Sequence, residues 1–513
     1  MDSWIVTILI FLPVAGGLAC FLFPFGGRAV ASFGALVALV EVGFWIDALA
    51  RFDFSKGLQF EQQASWFSDL NVSYHVGMYG FSLWLVGLTV VVMAAAIAYA
   101  FLAGRDRPRA YYGLMLMLIG AVVGVFTSQD LLVFYVMFEA MLIPLYVLVG
   151  VWGGAGRLAA TFKFVAYTMA GSLLMLVSII AFGLTKGTFD LVDSGTSGSS
   201  WIFLGFAAAF AVKAPLFPFH GWLPDAYREA SPEVSAVLSG IVSKAAAYGF
   251  LRIAIVKFPG PTDDFRTPIL ILAAVGLVYG SVLAFRAPDL RGVIAYSSLA
   301  QMGLITLGLF AQNSLGINGA VLQMVNHGLV SATLFLLAGA IERRTATGEF
   351  LLLGGMARGR PALATLLMTT GVIALAVPGS SAFAGEFLVL AGVFQEYWVY
   401  AVVGALAIVL AAMYVLRLIS GVLHREVGSA VSDASRDLVP GELAVLLPLV
   451  GCLIALSAWP AAISEHSFPG RFAIASNVAS GTSASAPTPT RFRPPRTPAV
   501  PHGSMSSEGG IVP

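Results

Sequence analysis

Charge is scarce in this chain: Asp, Glu, Lys and Arg make up 11% of 513 residues, and 58% are hydrophobic. A soluble domain carries about 25% charged residues, so the composition excludes a water-soluble globule and points to a polytopic membrane protein. The net charge of +1 gives no electrostatic footprint for nucleic acid. Cysteine is almost absent. Cys20 and Cys452 stand in separate apolar runs, which by spacing excludes a disulfide framework or a thiolate cluster and leaves them as small packing residues. No Gly-rich phosphate loop follows a strand, and a single histidine well inside a membrane helix, His327, cannot make a bis-His haem site. A chain so composed handles protons or cations and carries no redox centre of its own.

Apolar segments recur between residues 3 and 463, about fourteen in all, each near the roughly 20 residues needed to cross a bilayer. The expected fold is therefore all-α and polytopic, with about fourteen transmembrane helices. Residues 1–109 hold helices 1–3, 110–257 helices 4–8, 267–423 helices 9–13, and 441–463 helix 14. The opening MDSWIVTILIFLP lacks a basic leader and is expected to be a retained first helix. With both termini outside, the cytoplasmic loops carry Arg28, Arg105, Arg107, Arg109, Arg157, Arg228, Arg286, Arg291, Arg343, Arg344, Arg358, Arg360, Arg425 and Arg436. The opposite loops keep only Arg51, Lys56, Lys186, Lys257 and Arg266, a strong positive-inside bias. Residues 477–513, rich in Ser, Thr, Pro and Gly, cannot bury enough apolar surface to order and are expected to be disordered.

Lysine is used sparingly, at Lys56, Lys163, Lys186, Lys213, Lys244 and Lys257, yet Lys213 and Lys244 fall inside apolar helices. A lysine at mid-membrane costs about 2.5 to 3.5 kcal/mol. Arginine holds its proton in a protein, whereas a desolvated lysine can release it, so the choice of lysine suggests a titratable group. Glu139 and Glu386 are comparably deep in LLVFYVMFEAMLIPLYVLVG and VPGSSAFAGEFLVLAGVF. Two acids and two bases at one level favour transport over pairs that merely pin helices together. Pro215 and Pro218 follow Lys213, and Pro378-Gly379 precedes Glu386, so helices 7 and 12 are expected to be discontinuous and to line a cavity. His327, with Gln323 one turn earlier, is a candidate relay, and Ser297, Ser298 and Gln301 could hold water beside it. Lys163 reads as snorkelling from a helix end, and Arg252 as structural.

These residues resemble a known family. FEAMLIPLYVLVGVWGG, RLAATFKFVAYTMAGSLLMLV, KAPLFPFHGWLPDAYREAS, GIVSKAAAYGFLRI, DLRGVIAYSSLAQMG, VNHGLVSATLFLLAGAI and PGSSAFAGEFLVL are similar to the antiporter-like subunits of proton-pumping NADH:quinone oxidoreductase, respiratory complex I, and within them to the subunit M branch. The likeness covers about residues 75 to 425. It implies two inverted five-helix repeats, helices 4–8 and 9–13, and a proton path through Glu139, Lys213, Lys244 and Glu386. It also implies a bacterial plasma membrane and partners among the other membrane subunits, especially L and N. NADH, FMN, iron–sulfur clusters and quinone would be held by partner subunits, and no cofactor or metal by this chain. Gln301 departs from the family, where many relatives have histidine, so a step there would use water or an amide. SSAFAGEF replaces the more usual TSGFVGEF and leaves the acid in place.

The expected function is proton translocation coupled to quinone reduction elsewhere. Lys213 would be loaded from the cytoplasm with Glu139 as its modulating counter-charge, and the proton would cross water to Lys244, pass His327 and leave by Glu386. The alternatives are a subunit of a multisubunit cation/proton antiporter or a membrane-bound hydrogenase, and a structural scaffold with vestigial charges.

Overall fold

A computed structural model describes residues 4–468 other than 23, 25, 433 and 434; the tail expected to be disordered, 477–513, lies outside them. Helices dominate. The first two are α1 (Ile5–Leu22) and α2 (Gly27–Arg51). One departure from an all-α chain follows at once: β1 (Gln59–Phe67) and β2 (Val72–Met78) form an antiparallel hairpin with Gln63 opposite His75. Its turn passes through Asn71 in the left-handed region (φ 52°), a conformation Asn tolerates better than most residues. The hairpin carries no Asn-Gly signature and sits in a polar loop, so periodicity alone gave no sign of it.

The next elements are α3 (Gly80–Ala103), α4 (Pro108–Thr127), α5 (Leu131–Ala140), α6 (Leu142–Trp152) and α7 (Arg157–Lys186). Pro144 lacks the N–H that would bond to the Ala140 carbonyl, which accounts for the break between α5 and α6 two residues beyond Glu139. α8 (Ser200–Lys213), a short apolar helix, is followed by a non-helical stretch, α9 (Leu223–Glu229), and α10 (Pro232–Val237). From α10 the chain runs on through a wide π segment (Leu238–Val242), α11 (Ser243–Gly249) and a second π segment (Phe250–Ile255) as one span. Then come α12 (Pro259–Arg286), α13 (Leu290–Phe310), α14 (Ser314–Thr345), α15 (Pro361–Ala374), α16 (Ser381–Leu423), α17 (Pro440–Ala458) and α18 (Ala461–Ser464). α16 is two helices merged across a kink at Tyr397, whose backbone is non-helical.

Among the described residues, 12 spans are long and apolar enough to cross a membrane, and α8 and α15 are shorter apolar helices. The two helices expected to be discontinuous, those of Lys213 and Glu386, are each interrupted, at residues 214–222 and 375–380. Each break finds partners for some of the backbone groups it frees. The Trp222 indole donates to the Val212 carbonyl at 2.9 Å. Ser380 caps α16, the Ser381 N–H donates to Ser457 Oγ at 2.9 Å, and Asn326 donates to the Ser381 carbonyl at 2.7 Å. Irregular backbone survives at membrane depth only with such partners.

α14 and the span 232–255 form the buried centre, whereas α7 and α16 turn exposed Leu173, Val177, Leu184, Leu406 and Leu416 outward. An apolar exterior around a buried, partly polar centre suits a hydrocarbon solvent. Ion pairs collect at the arginine-rich end: Arg105 with Glu233 (2.6 Å), Arg228 with Asp289 (2.9 Å), and Lys163 with Asp225 (2.8 Å). Lys163, expected to snorkel, is thus held by a carboxylate.

Candidate functional site

Lys213 closes α8 at the first break and is 2% exposed. Its ammonium lies 4.9 Å from the centre of the Phe138 ring and 5.8 Å from that of Phe164. Glu139, the residue after Phe138, is half-buried and near enough for its charge to act on Lys213. Among the described residues no hydrogen bond or ion pair joins the two. The expected Glu139–Lys213 pair is therefore open: aromatic faces, whose quadrupole attracts a cation, take the contact instead.

Lys244 lies in α11 between the two π segments and is fully buried. Its Nζ donates to the Ser239 carbonyl (2.5 Å), to Ser243 Oγ (3.4 Å), and reaches His327 Nδ1 at 2.7 Å. The wide turn supplies the carbonyl; π turns inside helices often mark functional sites. Close packing supplies the histidine. A Cβ on Gly328 would stand 2.7 Å from the Gly240 carbonyl, so glycine at this crossing lets α14 bring His327 against the first π segment. Among the described residues no carboxylate contacts Lys244.

Beyond His327 lies a cavity of about 40 Å³ lined by Ser297, Gln301, Gln323, His327, Glu386 and Tyr414, among others. Glu386, in α16 just past the second break, is buried, and its Oε1 accepts from Gln301 Nε2 at 2.9 Å. Gln323 Nε2 in turn donates to Gln301 Oε1 at 2.8 Å. A Cβ on Gly385 would collide with Gln323 Oε1, so this glycine is what allows Glu386 to stand so close to α14. Ser297 and Gln301 border the cavity as expected; Ser298 instead bonds Ser239 at 2.7 Å.

The four expected charged residues and His327 thus fall into two clusters: Glu139 with Lys213, and Lys244 with His327 facing Glu386 across the cavity. Arg252, expected to be structural, donates to Gln129 Oε1 at 2.8 Å. Two features escaped the sequence reading. Glu41, in LVALVEVGFWI, is fully buried, and neither carboxyl oxygen has a hydrogen-bond partner among the described residues. A lone carboxylate in an apolar helix was the available signal. The second is a cluster at the hairpin end, where buried His75 sits between Asp190 (2.5 Å) and Glu61 (2.8 Å). It joins residues more than 100 apart and left no sequence signal. No group of three or more His, Cys, Asp or Glu side chains that could hold a metal ion lies together among the described residues.

The family described as NADH:quinone oxidoreductase/Mrp antiporter, TM, matches residues 128–412. The chain is 36% identical over 486 residues to NADH-quinone oxidoreductase subunit M of Rhodobacter capsulatus, covering 90% of this chain and 94% of that one. With the subunit M of Mycobacterium tuberculosis it shares 34% identity over 503 residues, covering 89% and 91%. Among solved structures, a chain of respiratory complex I from Thermus thermophilus with bound NADH is similar at a TM-score of 0.85 and 31% identity, covering 92% of this chain and 99% of that one. A chain of the Mrp complex from Dietzia sp. shares the fold, with a TM-score of 0.83 at 22% identity over 94% and 98%. The chain belongs to the NADH-quinone oxidoreductase subunit M family, within the fold shared by complex I and Mrp antiporter subunits.

Proposed function

We propose that this chain is a proton-translocating subunit of the membrane arm of complex I, with Glu139, Lys213, Lys244, His327 and Glu386 as its path. The observation that carries the reading is the direct contact of Lys244 with His327, which itself borders the cavity shared with Glu386. Lys213 takes a proton from the arginine-rich side, and Glu139 modulates its charge. The proton passes to Lys244, then to His327 and across the cavity to Glu386, from which it leaves. A carboxylate approaching an ammonium to about 4 Å at an effective dielectric near 20 is worth roughly 4 kcal/mol. Moving one proton against 200 mV costs about 4.6 kcal/mol. Closing and opening the Glu139–Lys213 pair is of the right size to load and release one proton.

On this reading the chain crosses the bilayer about fourteen times, with 110–257 and 267–423 as inverted repeats whose discontinuous helices carry Lys213 and Glu386. The arginine-rich loops put both termini outside a bacterial plasma membrane. Quinone, NADH, FMN and iron–sulfur clusters belong to partner subunits, and the neighbouring antiporter-like subunits L and N flank this chain. The test is Glu386→Gln in the intact complex: proton release per quinone reduced should fall while assembly persists. Normal pumping would remove Glu386 from the exit.

A further inference from the structure

Building on the proton path above, we propose that Gln301 and Gln323 form an amide brace that positions Glu386, and that the proton reaches this acid through cavity water, past residue 301 and not through it. The two amide bonds run in one sense. Gln323 Nε2 donates to Gln301 Oε1, and Gln301 Nε2 donates to Glu386 Oε1. Because Gln323 holds the Gln301 oxygen, the Gln301 amide cannot turn over without breaking both bonds, and its N–H stays aimed at the carboxyl. A side-chain amide has donors and an acceptor but no proton to exchange near neutral pH, so this chain of bonds can orient and cannot relay.

Four atoms complete the argument. Glu386 Oε2, Gln323 Oε1, Asn326 Oδ1 and His327 Nε2 are all buried and have no hydrogen-bond partner among the described residues. Three of them belong to residues lining the same cavity of about 40 Å³. That space admits roughly three waters at 10–15 Å³ each, and a buried water needs two to four polar partners, which these atoms supply. His327 Nδ1 is engaged by Lys244, so Nε2 is the ring atom left to face the cavity. The brace occupies Glu386 Oε1 and leaves Oε2 to receive the proton. Residue 301 thus acts through Glu386, as a positioning residue.

The experiment is infrared difference spectroscopy of the intact complex, with the Glu386 carboxyl band identified by its loss in Glu386→Gln, alongside the pH profile of proton release per quinone reduced. Gln301→Leu should move the Glu386 band toward that of a carboxyl without a donor, displace the pH profile, and slow proton transfer through this chain about ten-fold. Gln301→His, whose ring restores an N–H donor, should return the band and most of the pumping. Gln323→Leu, which unties only the far end of the brace, should move the band in the same direction by less. An unchanged band and pH profile in Gln301→Leu would overturn the brace. If Gln301→Leu fails to assemble, an unmoved band in Gln323→Leu, or a band of an unbonded acid in the unaltered complex, overturns it equally. Failure of the underlying path is separate: Glu386→Gln would then pump normally, whatever the Gln301 variants do.

Discussion

Lys244 Nζ and His327 Nδ1, 83 residues apart in sequence, meet at 2.7 Å in a fully buried setting. Among the described residues no carboxylate contacts Lys244, and His327 is its titratable partner. Positioned proton-transfer groups contribute about 10²–10⁴-fold to rate. His327→Ala should therefore slow transfer through this chain by about 100-fold and reduce protons per quinone by this chain's share, with the complex still assembled. Pumping measured in proteoliposomes checks it.

The aromatic seat of Lys213 gives a second expectation. A desolvated cation–π contact is worth about 2 kcal/mol, and Phe138 is nearer the ammonium than Phe164. Phe138→Leu should slow proton transfer through this chain by about 30-fold, since about 1.4 kcal/mol is ten-fold in rate. Phe164→Leu should do less. Equal effects would contradict the geometry.

Packing at the second break is tight where a Cβ on Gly385 would strike Gln323 Oε1. Gly385→Ala should cost about 1–3 kcal/mol by overpacking. It should also displace Glu386 from Gln301, so thermal stability and pumping fall together. A variant that is stable and fully active would show that α14 and α16 can separate freely.

At the hairpin end the pH dependence has a definite sign. Burial alone would lower the pKa of His75, but the hydrogen bonds and charges of Asp190 and Glu61 outweigh it and raise the value above the ordinary range. Burial alone would raise Asp190; the His75 bond and the Val192 and Asp193 N–H groups outweigh it and hold the carboxyl low. The histidine's contribution is full below its unfolded pKa of about 6.5 and is lost as pH rises through the raised folded value. The aspartate's contribution is present above its unfolded value of about 3.9 and lost as pH falls through the depressed one. Anchoring of the hairpin to the loop after α7 is thus firmest in mildly acidic solution. Hydrogen-exchange protection of β2, corrected for intrinsic rate, should be higher at pH 6 than at pH 9, and Asp190→Asn should flatten that difference.

Glu41 is a fifth case. It lies one turn from Val37, which packs on Gly16 of α1, and one turn from Trp45, which covers Gly87 of α3. An ionised carboxyl with no donor in such a place is costly, and the neutral acid is the expected form. A protonated-carboxyl infrared band should disappear in Glu41→Gln, with a stability change of about 1 kcal/mol. Absence of that band would mean that Glu41 is ionised.

Much of the centre was legible because burying charge in hydrocarbon is so costly that the exceptions stand out: Lys213, Lys244, Glu139 and Glu386 each interrupt an apolar run. Proline placed both breaks correctly, since a missing N–H is a local property. What could not be read was anything set by contact between distant segments. The seat of Lys213 on Phe138, the bond from Lys244 to His327 and the His75 cluster depend on helix crossings. The π turns flanking Lys244 leave no pattern in an apolar sequence. Glu41 was visible as a residue and overlooked because it lacks the company of a second charge.

The central claim is that Lys213 carries a transported proton. Protons released per quinone reduced, measured in proteoliposomes holding the intact complex with Lys213→Ala, test it most directly. The account predicts a clear fall in that ratio with quinone reduction still detectable; an unchanged ratio at full turnover would contradict it.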